Sequence, residues 1–121
     1  MIGIGIDAVD VARFRRVLAR RPALALRLFT DGERAYAARF ADPAPRLAAR
    51  FAAKEAAMKA LGVGLGAFGF HDVEVVSAPT GAPSLVVRGG AAAHAGAQGV
   101  TGWRVSLTHT DALAESVVVA I

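Results

Sequence analysis

The segment Ile2-Gly3-Ile4-Gly5-Ile6-Asp7 constrains this chain most. Apolar residues at every second position read as a β-strand with Ile2, Ile4 and Ile6 on one side. The intervening glycines permit close approach of another backbone. The strand ends on a carboxylate, Asp7. A helix should follow over about residues 10–20, with Val11, Phe14 and Leu18 on one face and Arg13, Arg16 and Arg20 on roughly the other. Asp7 therefore has two readings: a cap for that helix through its side-chain oxygen, or a ligand for a hard cation.

Pro22 can open a short helix. Thr30, three residues before Glu33, has the pattern of a capping box, and a helix of about ten residues should run from there to near Asp42. The run Asp42-Pro43-Ala44-Pro45 is a break. A long Ala-rich helix then covers roughly 45–61 and stops at Gly62. Strands are predicted over 71–77, 84–88, 103–109 and 113–121, with a turn at Thr80-Gly81-Ala82-Pro83. Residues 89–97 read as a short helix closed by Gly96 or Gly99. The last strand lacks polar alternation at Val117-Val118-Val119, so both its faces are expected to be buried. Helices first and strands later define an α+β class with largely antiparallel pairing. The 121 residues suit one domain spanning 1–121.

Hydrophobic residues make up 55% of the chain, enough to bury a core, but many are Ala. Part of the core is therefore expected to come from subunit contacts. There are no cysteines, which excludes disulfides and thiolate metal sites. No secretory signal and no apolar run of membrane-spanning length is visible, so a cytoplasmic, soluble protein is expected, with no membrane partner. The net charge of +4, concentrated around Arg13–Arg21, suits an acidic partner. A basic, non-enzymatic module binding an acidic protein or nucleic acid is the alternative reading. One Trp and one Tyr give little material for stacking bases, so no nucleic-acid partner is expected.

The middle block, Ala49-Arg50-Phe51-Ala52-Ala53-Lys54-Glu55-Ala56-Ala57-Met58-Lys59, carries the charge pattern of interest. Glu55 and Lys59 have the spacing and order of a helix ion pair. Arg50 and Lys54, also four apart, repel unless an anion lies between them. The turn Gly62-Val63-Gly64-Leu65-Gly66 allows backbone N–H groups close to an anion, or is simply a structural turn. It is not a Walker loop, since no Lys-Ser or Lys-Thr follows. His109 lies at a strand end, beside Leu107 by alternation. No zinc-type His pattern and no nucleophile elbow is present. Asp7 and Glu55 with the nearby cations would suit a magnesium-bound pyrophosphate.

These blocks resemble the bacterial 4′-phosphopantetheinyl transferases of the holo-[acyl-carrier-protein] synthase family. GIGIDAVDVARF is similar to the family's opening block, and ARFAAKEAAMKALGVG to its most diagnostic one. Gly81-Ala82-Pro83 resembles a G-x-P turn, and SLTHT with the strand after it resembles the family's close. The resemblance implies transfer of the 4′-phosphopantetheine arm from coenzyme A to a serine of apo acyl carrier protein, a step of lipid biosynthesis. It implies Asp7 and Glu55 as magnesium ligands and Lys59 as the pyrophosphate contact. Arg50, Lys54, Gly62, Gly64 and His109 are expected to line the coenzyme cleft. Arg13, with Arg16 and Arg20, would meet the acidic carrier. A homotrimer with clefts between subunits is implied. Pro45 and Arg46 do not align with the family's basic residues there, so the groups reading the adenosine 3′-phosphate stay unassigned.

Overall fold

The computed structural model describes residues 1–121. The chain runs β1 (Gly3–Asp10), α1 (Val11–Arg20), α2 (Ala23–Leu28), α3 (Asp31–Ala37), α4 (Ala44–Ala60), β2 (Val73–Ser77), β3 (Pro83–Val87), α5 (Gly89–Ala97), β4 (Trp103–His109) and β5 (Leu113–Ala120). The class is α+β with antiparallel pairing throughout, as expected. Sheet order is β1-β5-β4, and β2-β3 forms a separate hairpin. No helix is long and apolar enough to cross a membrane.

The cap of α1 falls to Asp10, whose Oδ1 accepts from the Arg13 N–H at 2.8 Å. Asp7 lies three residues earlier, inside β1, and is free of that duty. Thr30 and Glu33 form the reciprocal capping box of α3. That helix ends at Ala37, earlier than expected. The next N–H groups, of Arg39 and Phe40, reach back only three residues, to Tyr36 and Ala37, which tightens the chain into a turn. Segment 70–72 is a 3-10 turn where a strand was expected, so β2 starts at Val73.

α4 is the central element, and most of its residues are buried. Its alanines allow the close packing that the β1 glycines imply. A Cβ built on Gly5 would stand 1.9 Å from the Ala56 carbonyl oxygen, and one on Gly3 would stand 1.9 Å from that of Ala60. No side chain fits in either place, so the strand and helix backbones meet directly. One core cluster gathers Ala56, Ala57, Met58, Leu61, Phe68 and Val118. The other gathers Val11, Phe14, Leu28, Phe29, Leu47 and Ala48.

The sheet is covered on one face only. Ala114, Ser116, Val118 and Ala120 of β5 are buried, whereas Val117 and Val119 are half-buried. The expectation of a strand buried on both faces is therefore not met in the single chain. Ile4 and Ile6, opposite Val119 and Val117, are 58% and 59% exposed.

Candidate active site

Asp7 is on the same face of β1 as Gly3 and Gly5, because strand side chains alternate. It therefore faces α4, in register with Ser116 of β5. Lys59 comes up from the last turn of α4 and donates to Asp7 Oδ1 at 3.2 Å and to the Ile6 carbonyl at 2.9 Å. The expected Glu55–Lys59 helix pair is not formed. Lys59 turns to Asp7 instead, and Glu55, one turn earlier, has no ammonium of its own. An ammonium carries three donors. Two of those on Lys59 are used, and its side chain is half exposed.

Asp7 and Glu55 line one cavity of about 540 Å³, walled on the apolar side by Phe14, Phe51 and Phe70, with Arg13 among its lining residues. Burial pushes the Glu55 carboxyl above its ordinary value, the Asp7 charge adds to this, and Lys59 opposes it. A carboxyl whose charge is disfavoured by burial and by a second carboxylate on the same cavity makes, with it, a donor set suited to a hard cation, which takes one or two carboxylates and substrate oxygens. No third carboxylate or His forms a metal-holding group with them; Asp10, also on the cavity lining, is used as the α1 cap.

Arg50 and His109 lie elsewhere. They line a second cavity of about 240 Å³ with Tyr36, Arg46 and Ser77. The Arg50 guanidinium stacks 4.1 Å from the Tyr36 ring centre and donates to Ser77 Oγ at 3.0 Å, while its buried Nε has no partner. Arg50 and Glu55 are five residues apart, about 140° around the helix, which accounts for the two cavities.

Lys54 reaches neither cavity, and its placement in the coenzyme cleft is corrected. Its side chain is fully buried and paired with Glu33 at 2.7 Å. The anion that relieves its repulsion from Arg50 is thus Glu33. Gly62, at φ 69°, ends the α4 turn, and the space around Gly62 and Gly64 is open. Leu65 of this loop, not either glycine, lines the first cavity. Arg16 and Arg20 are exposed along α1 beyond the cleft. Sequence reasoning missed the aromatic wall of Phe14, Phe51 and Phe70, and the Tyr36–Arg46 side of the second cavity. The spacing of Phe51 to Glu55, one helical turn, was the available signal for the first.

A strand carboxylate and a helix carboxylate on one cavity, with a lysine bound to the first, define a phosphate-handling α+β domain. Residues 3–120 match the family model of the 4′-phosphopantetheinyl transferase superfamily, and the chain belongs to that family. It is 48% identical over 120 residues to the holo-[acyl-carrier-protein] synthase of Frankia alni, covering 99% of this chain and 97% of that one. Its fold superposes on the holo-[acyl-carrier-protein] synthase of Neisseria meningitidis with a TM-score of 0.89 at 30% identity, covering 100% and 98% of the two chains. The Helicobacter pylori holo-[acyl-carrier-protein] synthase in complex with coenzyme A gives 0.86 at 28% identity, covering 98% and 99%.

Proposed function

We propose that this chain transfers the 4′-phosphopantetheine moiety of coenzyme A to a serine of apo acyl carrier protein. The observation that carries this reading is that Asp7 and Glu55 line one cavity while Lys59 holds Asp7 from its side. The carrier's serine oxygen attacks the phosphorus that bears the pantetheine. The bond from that phosphorus to the bridging oxygen breaks, and adenosine 3′,5′-bisphosphate leaves. Asp7 and Glu55 would hold a magnesium ion, which when bound supplies charge stabilisation to the pyrophosphate oxygens. The third Lys59 proton is directed to a phosphate oxygen, where developing charge is stabilised. Glu55 is the candidate acceptor of the serine proton, since its raised basicity suits a general base.

The second cavity supplies Arg46, Arg50 and His109, a set suited to the ribose phosphate of the coenzyme. The open face of the sheet, with Ile4, Ile6, Val117 and Val119, supports assembly through that face, and the homotrimer is the assembly proposed. The test combines the protein with coenzyme A, magnesium and apo carrier, and follows the carrier by mass spectrometry. A gain of one phosphopantetheine per carrier is expected. Coenzyme A cleavage with an unmodified carrier would indicate a hydrolase and sink the proposal.

A further inference from the structure

Glu33 and Lys54 stand apart from the other ion pairs, because both side chains are 0% exposed. The Lys54 ammonium uses all three protons, on Glu33 Oε1 at 2.7 Å, the Phe70 carbonyl at 2.9 Å and the Val73 carbonyl at 2.6 Å. Glu33 Oε1 also accepts the Thr30 N–H at 3.0 Å, and Oε2 accepts the Val75 N–H at 2.9 Å. One dry node therefore ties the start of α3 to the middle of α4 and to segment 70–75. No backbone hydrogen bond joins these three parts.

Two walls of the first cavity depend on this node. Glu55 follows Lys54 by one residue, about 100° around the helix, so fixing Lys54 fixes the direction of Glu55. Phe70, whose carbonyl Lys54 holds, lines the same cavity, and its ring stacks on Phe51 with centres 5.8 Å apart. Stability alone does not account for such a pair, since a buried ion pair is often no better than apolar residues of the same volume. We infer that the Glu33–Lys54 pair is a positioning element of the active site, setting the rotation of α4 at Glu55 and the place of the Phe70 wall. The inference rests on the transferase reading.

The test is the Glu33→Leu/Lys54→Met double variant of the full chain, in the carrier assay and in thermal melts. The expected result is a chain that still folds at assay temperature but melts lower, because four backbone groups lose their partners, with a kcat lowered about tenfold or more and a coenzyme A KM within about threefold. Glu33→Gln, which keeps the shape and loses the charge, should lower kcat less and in the same pattern. A folded double variant with the parent's kcat overturns the inference. So does a raised coenzyme A KM at unchanged kcat, which would make Lys54 a substrate contact. Failure of both variants to fold would assign the pair to stability and also overturn it. A parent that transfers nothing sinks the transferase reading itself, and only the variant results with an active parent judge the pair.

Discussion

Two acid–ammonium contacts leave α4 five residues apart, and they are built in opposite ways. Lys54 is dry, with every donor satisfied and a carboxylate that has two further partners of its own. Lys59 is half exposed, holds Asp7 at a longer 3.2 Å and leaves Glu55 without a counter-ion. Both pairs use the same chemistry. The first is closed and can only hold structure in place. The second is incomplete, and what would complete it is a cation and a phosphate. Local saturation of donors, more than residue type, separates a strut from a site.

The largest effect should come from the incomplete side. Glu55→Gln keeps the size and removes the charge, and transfer should fall by about 10²–10⁴-fold, read as modified carrier per unit time. Unchanged turnover would remove Glu55 from the chemistry and erase the contrast.

The two lysines should then divide by what they lose. Lys54→Ala leaves the buried Glu33 side chain without its partner, so urea unfolding should show a loss of about 3–5 kcal/mol. Lys59→Ala removes a half-exposed partner and should cost about 0–1 kcal/mol of stability. Its transfer rate should still fall at least about tenfold, because one transition-state contact is lost. Equal destabilisation by the two substitutions would break the distinction.

Much of this arrangement was legible in the sequence. The β1 glycines announced a close backbone approach, and the Ala-rich helix provided it at Ala56 and Ala60. The Thr30–Glu33 box was visible because capping is local. Asp7 and Glu55 are 48 positions apart, and helix and strand periods do not relate them; family resemblance did. The fate of Lys54 was not legible, because it is decided by Glu33 and by two carbonyls 16 and 19 residues downstream. Alternation likewise could not show that β5 has a helix on one face only, since that follows from where α4 packs. The cap reading offered for Asp7 failed at shorter range: the strand continues past Asp7, which moves the cap to Asp10.

Cations free of any carboxylate sharpen the contrast further. Arg13 lines the first cavity, and its backbone, not its guanidinium, serves the Asp10 cap. Arg13→Glu should raise the KM for an acidic carrier about tenfold while the coenzyme A KM stays within about twofold, with the difference shrinking in high salt. Equal changes in both would place Arg13 at the coenzyme instead of the carrier.

The smallest effect is a matter of protons. The Glu55 carboxyl is held above its ordinary value of 4.5, first by burial and then by Asp7. The folded chain therefore binds that proton more tightly than the unfolded chain does. The associated stability is fully present below the unfolded value and is lost as pH rises from there through the folded one. Urea midpoints of the metal-free parent should decline across that window, and those of Glu55→Gln should stay flatter. Above the window, added magnesium should recover stability in the parent if it binds the folded Asp7–Glu55 pair as proposed. The Gln variant should recover less. If the two pH curves coincide, Glu55 is solvated like an ordinary surface acid, and the repulsion from Asp7 that makes this side incomplete does not exist.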